Sequence, residues 1–215
     1  QGCGRRVRLL EATGPIDEPG LGFLPDGLVG YWTADGDGGV VQDRSSYGLN
    51  GSFVNTATTN NTSVYGQAFT LTGALDYINV PFNAAFDFED TDPFSASVWI
   101  RKDSSIFLNH GILGKFHSNG NYWYYDTDEV TAYFKLRFGG VTGGISFNGT
   151  NAVVSGIWTQ GAFAYDGVNV KMYKDGILES TTTIPGNAET MKRSQALSIG
   201  QLGAPLAGYY FKGQI

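Results

Sequence analysis

Ile157-Trp158-Thr159-Gln160-Gly161-Ala162-Phe163-Ala164-Tyr165-Asp166-Gly167-Val168-Asn169-Val170-Lys171-Met172-Tyr173-Lys174-Asp175-Gly176-Ile177-Leu178 decides the fold class. It divides into three extended runs joined at Asp166-Gly167 and Asp175-Gly176. A two-residue hairpin loop of type I′ needs positive φ at both central residues, which Asp and Gly tolerate, and its twist matches the strands it joins. The first run carries Ile157, Trp158, Phe163 and Tyr165. In the second, Val168, Val170 and Met172 alternate with Asn169, Lys171 and Tyr173, the period of a half-buried strand. The stretch is predicted to be an antiparallel meander with a type I′ turn at each Asp-Gly pair, and it points to an all-β chain.

Composition agrees. The chain has 215 residues, enough for one large β domain with a full core. Its 31 glycines, 14% aromatic and 16% charged residues suit many short strands and turns rather than helices. Only Gly186–Ser194 offers a helical turn, and it reads equally as a polar loop. The net charge is −6 without a dense Lys/Arg stripe, so the electrostatic footprint of nucleic-acid binding is missing. Arg5, Arg6 and Arg8 form a short basic run near the start. No apolar run reaches the length of a membrane span. A single cysteine, Cys3, excludes an internal disulfide.

Working outward, residues 1–27 form a leader or linker arm punctuated by Gly14-Pro15, Pro19-Gly20 and Pro25-Asp26-Gly27. Leu28-Val29-Gly30-Tyr31-Trp32 is predicted as the first strand. Val64–Leu71, Asp76–Val80, Phe94–Lys102, Gly111–Phe116, Tyr122–Tyr125, Thr131–Phe138 and Gly143–Phe147 follow. Leu178–Ile184, Ala196–Ile199 and Tyr209–Phe211 come after the meander, and Asn55–Ser63 is expected to be a mobile loop. About a dozen strands at this spacing predict a two-sheet antiparallel sandwich.

The order of these pieces resembles laminin-G-like domains of the concanavalin A-like lectin/glucanase superfamily, in the form common in bacterial surface proteins. Seven blocks carry the resemblance from about Leu28 onward. They are Leu28–Trp32; Val41-Gln42-Asp43-Arg44-Ser45-Ser46-Tyr47-Gly48-Leu49-Asn50-Gly51; Gly66–Phe69 with Gly73 and Asp76–Pro81; Phe94–Ile100; Ile112–Lys115; the meander; and Leu197–Gly200 with Phe211–Ile215. The resemblance implies a jelly roll over residues 28–215, with binding sites on a concave face and rim loops, and with calcium at a loop rim in many relatives. It also implies one more strand after Gly213-Gln214-Ile215, beside the first. The chain stops at Ile215, so exposed strand edges are expected around Leu28–Thr33.

Catalysis lacks its signature. Glycoside hydrolysis needs two carboxylates facing one bond, and hydrolases of this superfamily carry Glu-x-Asp-x-x-Glu or a close variant on one strand. Phe86-Asp87-Phe88-Glu89-Asp90-Thr91-Asp92 has neither that spacing nor a strand context. His110 and His117 flank a short strand with no nucleophile or acid arranged around them, and are expected at the surface. Asp35, Asp37 and Asp43 could offer oxygen ligands to Ca²⁺, although short Asp-Gly runs also make turns, and Asp43 suits a loop-fixing role.

Tyr122-Trp123-Tyr124-Tyr125 is the strongest binding candidate. On a strand, Tyr122 and Tyr124 face one way and Trp123 and Tyr125 the other. One pair should enter the core, and the other should line an open face beside Asn119, Asn121 and Asp126. Aromatic rings pack on the C–H faces of sugars while amides and carboxylates bind hydroxyls. Tyr209 and Tyr210 add a second patch. The expected function is a non-catalytic extracellular or cell-surface module recognising glycan or a surface protein, with no cofactor required. The alternative is a self-assembling fibre or filament subunit that associates through exposed strand edges. A polysaccharide-cleaving enzyme ranks third because the acid pair is missing.

Overall fold

A computed structural model describes residues 27–35, 39–60, 63–103, 110–116, 121–127, 131–140, 143–184, 194–203 and 209–215. Cys3, Arg5, Arg6, Arg8, Asp37, His117, Asn119 and nearly all of Gly186–Ser194 lie outside the described residues. The described strands form two antiparallel sheets. One runs β1 (Val40–Val41), β2 (Gly51–Val54), β5 (Tyr77–Val80), β14 (Leu197–Ile199), β7 (His110–Lys115), β8 (Tyr122–Thr127), β9 (Phe134–Gly140), β10 (Gly143–Asn148). The other runs β13 (Ile177–Thr183), β12 (Asn169–Lys174), β11 (Thr159–Tyr165), β6 (Phe94–Lys102), β15 (Lys212–Gln214), β4 (Ala68–Thr72), β3 (Thr58–Asn60). The chain is all-β, as its composition and alternation predict.

The meander is present, but its two bends differ. Asp175 and Gly176 have φ of 50° and 78°, and Lys174 pairs with Ile177, giving the expected two-residue type I′ loop. At the first bend only Gly167 is left-handed, with φ 93°. Asp166 instead turns its carboxylate back onto the chain, accepting the Val168 and Asn169 N–H groups at 2.9 and 2.6 Å. With Tyr165 paired to Val170 and the Asp166 N–H donating to the Asn169 carbonyl at 3.1 Å, the bend moves to Gly167-Val168, and Asp166 is released from the positive φ that type I′ requires. The bonds to its carboxylate are also the main reason that the Asp166 carboxyl lies below its ordinary range.

Side chains from both sheets fill the space between them. Phe134, Leu136 and Phe138 of β9 meet Phe163 and Tyr165 of β11 and Val170 and Met172 of β12, all within one buried cluster. Inward and outward residues alternate along the regular strands, with register shifts interrupting the period in β7 and at Met172/Tyr173 of β12, so each sheet keeps one face outside the core.

Further sequence expectations need correction. Leu28–Trp32 forms no ladder; Trp32 makes only an isolated bridge to Asp43. The Asp43 carboxylate accepts the Tyr31 N–H at 2.8 Å, and the Tyr31 carbonyl accepts Arg44 N–H at 2.7 Å, so a side chain takes a strand's place. The described sheet edges are therefore β1, β10, β13 and β3, not Leu28–Thr33. Lys212–Gln214 sits between β4 and β6, paired on both sides. Lastly, the polar Asn55–Ser63 stretch contains β3, and the strand expected from Val64 begins only at Ala68.

Asp76 fastens the turn from β4 to β5, which belong to different sheets and form no hairpin. It is fully buried. It accepts the Thr56 and Thr72 N–H groups at 2.8 and 2.9 Å, and the Thr56 and Thr72 hydroxyls at 2.9 and 2.5 Å. Burial alone would raise its pKa, but the hydrogen bonds from Thr72 and Thr56 outweigh burial and hold it below the ordinary 3.8. A carboxyl with a depressed folded pKa stabilises the fold above its unfolded pKa and loses that contribution as pH falls through the folded one. Asp76→Asn is expected to cost about 2 kcal/mol at pH 7. In urea melts the gap to the parent should hold from pH 7 down to pH 5 and narrow below 3.8.

Candidate functional site

β8 sorts its aromatics as alternation dictates. Trp123 and Tyr125 point into the core between the sheets, while Tyr122 and Tyr124 gather on the outer face with Leu202, Phe116 and Tyr209. The two outward rings lie nearly parallel, with centroids 5.6 Å apart and planes 16° from each other. Phe116 tilts against both, at 4.7 Å from Tyr122 and 5.9 Å from Tyr124. They are therefore covered rather than open: Tyr122 is 9% exposed and Tyr124 5%. Phe116 and Tyr209 form the half-buried rim.

Glycines make room for Tyr122. A Cβ on Gly139 would lie 2.3 Å from the phenol end of Tyr122. A Cβ on Gly144 would lie 2.5 Å from its hydroxyl and 2.8 Å from Arg137 Nε. The ring rests where β9 and β10 present bare backbone.

Register places Arg137 beside this pair. It opposes Tyr124 on β8 and Ser146 on β10, and Lys135 opposes Asp126. Arg137 Nη1 donates to the Tyr124 hydroxyl at 3.3 Å. Burial and the Asp126 carboxylate push the Tyr124 phenol up to about 12, against the pull of Arg137, so it stays neutral at physiological pH. Asp126 is fully buried and faces Lys135 Nζ at 3.6 Å. Asn121 sits half-buried just ahead of β8. Tyr122, Tyr124, Asp126 and Tyr209 thus share one face, the outer side of β7–β10. Arg137 and Phe116 were not singled out from sequence. The alternation of Lys135, Arg137 and Gly139 against Phe134, Leu136 and Phe138 carries the signal for Arg137.

The other candidates have different roles. Asp43 accepts from Tyr31 N–H, from Ser45 N–H at 2.9 Å and hydroxyl at 2.7 Å, and from Leu49 N–H at 2.7 Å. Donors aimed at both oxygens do not fit a cation ligand. Asp35 accepts Gln67 N–H at 2.6 Å. Among the described residues, no group of three or more His, Cys, Asp or Glu is placed to hold a metal ion. His110 is not at the surface; it is buried with Phe211 edge-on at 5.7 Å. Burial and, secondarily, the Lys102 charge push its pKa down to about 4, so it is neutral at physiological pH.

A laminin-G sequence model, described as concanavalin A-like lectin/glucanases superfamily, matches residues 72–215, about two thirds of the chain. The chain belongs to the concanavalin A-like lectin/glucanase superfamily. No curated protein matches this laminin-G-like chain in sequence. Among solved structures, it is similar to the binding domain of Paraclostridial Mosquitocidal Protein 1, with TM-score 0.64 and 12% identity over 81% of this chain and 42% of that one. This laminin-G-like chain thus spans less than half of that structure's length. It is also similar to domain 4 of AbnA, an extracellular arabinanase from Geobacillus stearothermophilus, in complex with arabinotriose. There the TM-score is 0.59 and the identity 19%, over 80% of this chain and 82% of that one. Mouse laminin alpha1 domains LG4-5 align at TM-score 0.53 and 17% identity, over 75% of this chain and 41% of that one. Identities this low establish a shared laminin-G-like fold and leave the site to be argued from its residues.

Proposed function

We propose that this domain is a non-catalytic carbohydrate-binding module of a secreted or surface protein, with the outer face of β7–β10 as its glycan surface. One observation carries the reading. A sheet face outside the core gathers Tyr122, Tyr124, Phe116 and Tyr209 around a guanidinium and a buried Asp126–Lys135 pair. Aromatic planes beside fixed polar groups suit a sugar, which offers C–H faces and hydroxyls. Domain 4 of the arabinanase AbnA, a chain of similar fold, was solved with arabinotriose. Asp126 is the one carboxylate among the described outward residues of β7–β10, and hydrolysis of a glycosidic bond needs two across the scissile bond.

A glycan array probed with the parent and with Tyr209→Ala tests the reading. The parent is expected to retain at least one glycan class, and Tyr209→Ala to weaken that binding about five- to tenfold. Trp99, 40% exposed on the outer face of the opposite sheet, supplies the control; Trp99→Ala should bind like the parent. Parent protein that binds no glycan would remove the carbohydrate reading.

A further inference from the structure

We infer that the glycan recognised on this face is acidic, and that Arg137 receives its carboxylate or sulfate. The inference rests on the proposed carbohydrate function and deepens it.

Among the described outward residues of β7–β10 the charges are Asp126, Lys135 and Arg137. Asp126 faces Lys135 at 3.6 Å and its charge also reaches Arg137, so of the three charges one positive charge is left over. Arg137 remains as a net positive charge on this face, in a chain whose overall charge is −6. Its guanidinium donates to one neutral acceptor, the Tyr124 hydroxyl, and its buried Nε has no hydrogen-bond partner among the described residues. A guanidinium carries five N–H donors in a planar fork that matches carboxylate or sulfate oxygens. Leaving that fork largely unanswered costs stability unless something outside the chain completes it.

Geometry makes the group reachable. Arg137 is half-buried, and its cross-strand neighbours on β10, Ser146 and Gly144, are exposed. Gly144 keeps any side chain off the guanidinium, since an added Cβ would lie 2.8 Å from the buried Nε, and the rest of the half-buried side chain is what a ligand can reach. On the other side the Tyr124 hydroxyl holds the guanidinium, and the paired Tyr124 and Tyr122 rings provide an apolar wall. A pyranose bearing a carboxylate could present its acid to the fork and its ring to the Phe116–Tyr209 rim. A neutral sugar's hydroxyls can accept from the fork but bring no charge to answer it, so the charge-assisted bonds would be missing.

The test compares oligogalacturonate, sialyllactose and heparin-derived oligosaccharides with neutral xylo-, arabino- and galacto-oligosaccharides, by array and then by calorimetric titration. An acidic probe should bind best and weaken as salt rises. Arg137→Gln should lose that probe about 10- to 100-fold, with Arg137→Lys in between. Ser146→Glu keeps the arginine and places a competing carboxylate directly across from it, on an exposed edge-strand position that does not threaten the fold. It should lose the acidic probe to a similar extent. Preference for neutral glycans, or acidic binding indifferent to Arg137→Gln and Ser146→Glu, overturns the acid specificity and leaves the carbohydrate function standing. Failure of the parent on every probe, acidic and neutral, overturns both.

Discussion

Lys115→Ala is expected to destabilise the domain by about 3–5 kcal/mol, read as a fall in urea midpoint. The Lys115 side chain is 1% exposed, and its Nζ contacts Asp87 Oδ1 at 2.8 Å and the Phe86 carbonyl at 3.2 Å. The Phe82 ring lies 5.2 Å away. Burial lowers the lysine's pKa, and the hydrogen bond and charge of Asp87 offset this only in part. Removing the cation takes the Lys115 charge away from the Asp87 carboxylate, which is 7% exposed in a low-dielectric site. That penalty exceeds anything the pair contributes net, because desolvating two ions consumes most of their attraction. Lys115→Met combined with Asp87→Asn should therefore recover more than half of the loss. A single-variant cost below about 1 kcal/mol would show that the pair is not dry. The pair also anchors the 3-10 turn Ala84–Phe86, which places Phe86 and Phe88 in the core.

The meander, the alternation along β6 and β8, and the division of Tyr122–Tyr125 between two faces were legible because each depends on a local period or turn residue. What a long-range side chain decides was not legible. Nothing local in Leu28–Trp32 says that Asp43 will take the Tyr31 N–H and forestall a strand. Nothing local in Asp166-Gly167 says that the aspartate will fold its carboxylate back and refuse the left-handed region. His110 looked like a surface residue because imidazole is polar, yet its position on β7 opposite inward Thr127 places it against Phe211.

The site shows the same split. Period 2 put Tyr122 and Tyr124 on one face and Trp123 and Tyr125 on the other, but could not show which pair enters the core or that Phe116 and Leu202 would lie against the outer pair. Arg137 joins the site through cross-strand register, which a sequence fixes only once its partner strands are known. The half-buried rim therefore includes Phe116 and Arg137, which the sequence did not single out, while the conspicuous Tyr122 and Tyr124 form the floor.

Phe94→Ala should cost about 4 kcal/mol, in the range for deleting a buried phenyl ring, because Phe94 joins the two sheets. Its ring stacks on Phe88 at 4.2 Å and 11°. It meets Phe163 edge-on at 5.4 Å within its own sheet, and Trp123 at 5.2 Å and Phe138 at 5.8 Å from the facing sheet. Neighbours from two sheets cannot all collapse into the space left behind, since each is fixed by its own ladder, so the cavity persists and the cost stays near the upper end. Phe94→Leu should cost less than half as much. Phe88→Ala removes the other partner of the stacked pair, and Phe94→Ala with Phe88→Ala should cost about 1 kcal/mol less than the sum of the single changes, because the shared contact is lost only once. Strict additivity in urea melts would mean that the rings stabilise the fold through burial alone and that their stacking contributes nothing.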